Sequence, residues 1–80
     1  MEREKIEKRI IGIIEKSLGR TGVLPSYSLT NDLQADSLEV TEIIMEIEDA
    51  FGVSIDSDRV DTTTTIAELA MIVGRLKTQN

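Results

Sequence analysis

The sequence predicts an all-α protein: a small bundle of three main helices plus one short helix, forming a single domain over residues 1–80. Two observations carry this prediction. Apolar residues recur at helical spacing in three separate segments, and each segment is bracketed by residues that start or stop helices. In addition, no stretch alternates with period two for long enough to suggest a sheet. Eighty residues leave no room for a second core, and so short a chain buries only about 60% of the surface its unfolded form exposes.

The first helix is predicted over residues 3–18. Ile6, Ile10, Ile13 and Ile14 mark its apolar stripe, Lys and Glu fill most other positions, and Gly19 stands where a terminal glycine would end it. Gly12 lies inside this helix and weakens it, which suggests a neighbouring element approaching closely there. Residues 20–35 form a long connection containing Gly22, Pro25, Ser26 and Ser28. Its apolar members Val23, Leu24, Tyr27, Leu29 and Leu33 imply that it packs over the bundle.

The second helix, residues 37–51, has Asp36 as its N-cap, Glu39 three residues on, and Gly52 as its stop. A short helical turn is expected near Asp56–Asp61. Thr65 and Glu68 then form a T-x-x-E box at the head of the last helix, whose buried face would carry Ile66, Leu69, Val73 and Leu76.

Composition excludes much chemistry. With no cysteine and no histidine there is no disulfide, no cysteine-bearing metal site and no imidazole base. The spacing Asp56-x-Asp58-x-x-Asp61 brings calcium to mind. It fails the EF-hand pattern, because position 6 is not Gly and position 12 is Ala67. Charge interspersed through the first twenty residues argues against a signal peptide or a membrane anchor, so a cytoplasmic protein without membrane insertion is expected.

The net charge of −6 is unevenly spread. Residues 1–30 hold six basic and four acidic side chains, residues 31–61 one basic against ten acidic, and residues 62–80 two basic against one acidic. Such a field repels nucleic acid and attracts basic protein surfaces.

Projected at about 100° per residue, the second helix turns Val40, Ile43, Ile44, Ile47 and Phe51 to one face, the predicted core. The opposite face holds Leu38, Glu42, Met45 and Asp49, flanked by Glu39, Glu46 and Glu48. Leu38 and Met45 are apolar residues inside a ring of carboxylates, the composition of a docking surface with Glu42, Glu48 and Asp49 as its rim. Ser37 occupies the first helical position, where free amides and the helix dipole favour an attached phosphate.

The run Asp32-Leu33-Gln34-Ala35-Asp36-Ser37-Leu38-Glu39 resembles the signature of the acyl carrier protein family. Glu42 to Glu48 and Phe51-Gly52-Val53-Ser54-Ile55 are similar to that family's second helix and the segment after it. The likeness spans essentially the whole chain and implies a carrier rather than an enzyme. It implies that Ser37, flanked by Asp36 and Leu38, receives a 4′-phosphopantetheine from a phosphopantetheinyl transferase. The thiol of that arm would hold acyl intermediates as thioesters, which a chain without cysteine cannot do on its own side chains.

Partners would then be the transferase and the acyl-transferring and synthase enzymes of fatty acid, lipid or polyketide synthesis, through basic docking surfaces. The carrier is expected as a monomer. An acyl chain would shelter among Val40, Ile44, Ile55, Val60 and Leu69. The alternatives are an aminoacyl or D-alanyl cargo, or an unmodified acidic helical adaptor. Three departures from the family pattern stand out: Gln34 for a usual Gly, Asp56 for a common Pro, and Thr63 for an often aliphatic residue. They point towards a specialised carrier, with an altered loop before Ser37 and a smaller or more polar pocket near Thr63.

Overall fold

The computed structural model describes residues 3–56, 58, 60, 61 and 63–78. Three helices form: α1 (Arg3–Leu18), α2 (Ser37–Phe51) and α3 (Ile66–Thr78). The all-α prediction holds. The pairing of residues 28 and 65 is a single isolated antiparallel bridge, and no strand occurs among the described residues. The short turn expected near Asp56–Asp61 involves Ser57 and Arg59, which lie outside the described residues.

Helix α1 is the spine. It packs against both α2 and α3, whereas α2 and α3 meet only marginally. Its stripe of Ile6, Ile10 and Ile14 is buried and joins Ile43, Ile47 and Phe51 of α2 and Ile66, Leu69, Ala70 and Val73 of α3 in one core. Leu76 is only half-buried at the end of α3. The expectation for Gly12 is overturned. It faces solvent, and a Cβ added there would meet nothing within 4 Å. Among the described residues no neighbour requires glycine at this position.

Both α1 and α2 end by the same device. Gly19 and Gly52 each adopt φ of 66°, the left-handed conformation that reverses a chain leaving a helix. In each case the residue after the glycine donates to a glutamate carbonyl in the last turn: Arg20 N–H to Glu15 O at 2.9 Å, Val53 N–H to Glu48 O at 3.2 Å. The same two glutamates then catch the departing chain with their carboxylates. Glu15 Oε2 accepts from Val23 N–H (3.1 Å), and Glu48 Oε2 accepts from Ile55 N–H (2.7 Å).

The last turn of α2 has no basic residue of its own to offset the negative end of its dipole. Its neighbours supply the charge. Lys77 Nζ of α3 donates to Phe51 O at 3.1 Å, and the Arg9 guanidinium of α1 lies 5.2 Å from the Phe51 ring centroid, a cation–π distance.

The long connection is packed, as expected, through buried Val23, Leu29 and Leu33 and half-buried Tyr27. Leu24 is the exception, at 50% exposure. This loop also closes the N-terminus of α3. Tyr27 O accepts from Ile66 N–H and Pro25 O from Ala67 N–H, both at 2.9 Å. Glu68 N–H donates to Thr65 Oγ1 (3.2 Å), while Thr65 N–H donates to Glu68 Oε1 (2.8 Å), the reciprocal box predicted there. Every amide of the first turn of α3 is therefore satisfied.

Candidate functional site

The N-terminus of α2 is built differently. Asp36 takes an extended conformation (φ −79°, ψ 175°), and its Oδ1 accepts from Glu39 N–H at 2.8 Å. Glu39 Oε1 accepts in return from Asp36 N–H at 3.0 Å. This box satisfies the amides of Asp36 and Glu39. It leaves those of Ser37 and Leu38, for which no acceptor is present among the described residues. Two free amides at the positive end of a helix form a seat for an anion. Ser37 is exposed at that position.

The approach to Ser37 depends on an unusual residue. Gln34 has φ of 57°, in the region that favours glycine. The loop before Ser37 therefore keeps a left-handed backbone despite carrying Gln where the resembling family usually has Gly. Ala35 N–H, donating to Leu29 O at 2.9 Å, pins the loop directly after this kink.

Beyond Ser37, two depressions run beside α2. One of about 340 Å³ is lined by Thr30, Ala35, Ser37, Val40, Thr41, Val60 and Asp61. The other, of about 280 Å³, is lined by Val40, Thr41, Ile44, Met45, Glu48, Ile55 and Val60. They share Val40, Thr41 and Val60, so an apolar path leads from Ser37 toward Ile44 and Ile55. Four of the five residues expected to shelter a cargo thus lie together. Leu69 does not join them, because it is fully buried in the core and lines neither depression.

Thr41, which no sequence motif singles out, lines both depressions. Its hydroxyl donates to Ser37 O at 2.9 Å, which satisfies its polarity. Thr63 is exposed and engaged elsewhere. Its amide and hydroxyl both donate to Asp61 Oδ1, at 2.8 and 2.7 Å, so it does not narrow the groove. These two bonds from Thr63, opposed by desolvation and reinforced by Thr64, hold the Asp61 carboxyl below its ordinary value.

The outward face of α2 shows Leu38 at 66% and Met45 at 56% exposure. Glu42, Met45, Glu46 and Asp49 border a shallow depression of about 390 Å³ together with Ser17 of α1. Glu48 stands apart from this acidic border. It is half-buried, its carboxylate is committed to Ile55 N–H, and it lines the groove instead.

Among the described residues there is no cluster of side chains able to hold a metal ion. Ser37 has no imidazole to activate it anywhere in the chain. A serine so placed can receive a phosphate-linked group from another enzyme, with the free amides of Ser37 and Leu38 fitted to the phosphate. That is the constitution of a carrier domain.

Comparison with known proteins agrees. The model of the family described as "Phosphopantetheine attachment site" matches residues 8–73. The chain is also 41% identical over 70 residues to a protein of Rubrobacter xylanophilus named "Acyl carrier protein", covering 85% of this chain and 86% of that one. The chain belongs to the acyl carrier protein family, a family of carriers rather than catalysts, and its covalent cofactor is 4′-phosphopantetheine.

Proposed function

We propose that this chain holds acyl intermediates as thioesters on a 4′-phosphopantetheine attached to Ser37 and presents them to enzymes of fatty acid, lipid or polyketide synthesis. The observation that carries the assignment is the exposed Ser37 on a helix end whose first two amides are free, while the corresponding amides of α3 are taken by the loop. The arm supplies the thiol that the chain lacks. The chain's own contribution is to seat the phosphate, to offer the apolar groove of Val40, Ile44, Ile55 and Val60 to the cargo, and to present a face for docking.

That face is the outward side of α2, with Leu38 and Met45 as apolar anchors and Glu42 and Asp49 as the charged rim. It suits the basic surfaces of a phosphopantetheinyl transferase and of acyl-transferring and synthase enzymes. No described helix is long and apolar enough to cross a membrane, and a cytoplasmic monomer is the setting this reading implies. The deciding experiment is mass spectrometry after incubation with a transferase and coenzyme A. Wild type should gain one phosphopantetheinyl group. Ser37→Ala should gain none, while keeping its helicity and melting temperature, because Ser37 packs against nothing in the core. An arm on the Ala variant would refute the assignment.

A further inference from the structure

Glu15 and Glu48 perform the same structural task, each catching the chain that leaves its helix with a backbone carbonyl and a carboxylate. They differ in what surrounds them. Glu15 lines no described depression, whereas Glu48, with Ile55 and Met45, lies at the end of the groove remote from Ser37. The groove therefore opens at a serine and ends at a carboxylate.

We propose that the Glu48 carboxylate, by holding Ile55 N–H, closes the groove and sets the longest acyl chain this carrier shields from water. The inference rests on the acyl-groove reading given above. A hydrocarbon chain advancing from Ser37 past Val40 and Ile44 gains apolar contact with each methylene. At Glu48 the gain stops. To continue, the chain must either press against a carboxylate and strip its remaining hydration, or displace it from Ile55 N–H. The first penalises a charge and the second leaves a buried amide without an acceptor. Both penalties fall on the same step of elongation, so shielding ends at a definite length rather than fading. The carrier would thus discriminate among saturated acyl groups by length.

The test is the melting temperature of the full chain carrying even-numbered saturated acyl groups from butanoyl to hexadecanoyl on its arm. Wild type should melt progressively higher with length and then reach a plateau. Glu48→Ala should move the plateau to longer chains by about two carbons, the room left by the truncated side chain. Glu48→Asp, which withdraws the carboxylate from Ile55 N–H, should move it the same way by less. Glu15→Ala removes the equivalent staple away from the groove. It should lower every melting temperature and leave the plateau length unchanged.

Should the Ala variant fail to fold, the Asp variant and a measurement on wild type alone still decide. Hydrogen exchange at Ile55 N–H should stay slow at every chain length, because the chain stops at the Glu48 carboxylate instead of displacing it. A plateau at the same length in wild type and the Glu48 variants, or exchange at Ile55 that quickens as the chain lengthens, would overturn the gauge while leaving the groove intact. No gain at any length in wild type would overturn the groove reading and the gauge with it.

Discussion

Gln34 offers a test of how the loop before Ser37 is held. A residue with a Cβ loses roughly 1–2 kcal/mol in the left-handed region, and Gln34 has φ of 57°. Its side chain is exposed and makes no hydrogen bond among the described residues that would offset this cost. Replacing it with Gly removes the strain but enlarges the unfolded ensemble, at a cost of about 0.4–1 kcal/mol. The difference leaves Gln34→Gly stabilising by about 0.5–1 kcal/mol, which for a domain of this size raises the melting temperature by roughly 2–8 °C.

Gly52→Ala is the mirror experiment. Gly52 has φ of 66°, and an added Cβ would meet nothing within 4 Å, so its cost is purely conformational. It should destabilise by about the same amount that Gln34→Gly stabilises. Urea titration of the two variants beside wild type, checked for an unchanged dependence on denaturant, gives both numbers. A loss of stability in Gln34→Gly alongside the expected loss in Gly52→Ala would refute the argument. It would mean that Gln34 contributes a contact worth more than its strain.

Two further outcomes follow from the site. Glu42→Lys and Asp49→Lys should slow association with a phosphopantetheinyl transferase at low salt and matter less as salt rises, because rim charges act on encounter. Met45→Ala should speed dissociation with little salt dependence, and stopped-flow kinetics at several ionic strengths separate the two behaviours. Asp61 has a folded-state pKa below its ordinary value of 3.8. Its contribution is therefore present above that value and lost as pH falls through the lower folded pKa. The stability difference between wild type and Asp61→Asn, followed by denaturation across acidic pH, should shrink toward the acid end; a difference that grows there would show the sign to be wrong.

The helices were legible because their ends are written in local chemistry. Asp36 with Glu39, Thr65 with Glu68, and Gly19 and Gly52 each act within a few residues of their own position. The placing of Ser37 at the first position of α2 was legible for the same reason. The groove was less so, because the helical projection of α2 was divided into a core face and an outward face. Ser37, Thr41, Ile44 and Glu48 form a stripe: they lie three or four apart and must share a side, one that cuts across the division into a core face and an outward face. Counting that stripe would have found Thr41 and moved Glu48 from the docking rim to the groove.

Leu69 lies in the core and lines neither depression, a distinction its spacing cannot carry because spacing shows only that it is buried. Whether it faces a cavity or a packed neighbour depends on how α3 lies against α1. The basic groups that serve the end of α2 were equally invisible. Lys77 meets Phe51 from twenty-six residues away, and no local pattern announces such a contact.

The arrangement of α2 and α3, both packed on α1 and barely on each other, divides between different side chains much of two burdens that small proteins usually place on the same ones. Ile6, Ile10, Ile14, Ile47 and Val73 hold the bundle together and take no part in the groove. Val40, Thr41, Ile44 and Val60 shape the groove while remaining outside the fully buried set. Val40, Ile44 and Val60 still pack against the core, and Ile55 and Ala35 belong to both sets, so substitutions at these positions remain coupled to it. The groove can therefore drift toward a different occupant most readily through Thr41, which shapes it without belonging to the core or packing against it.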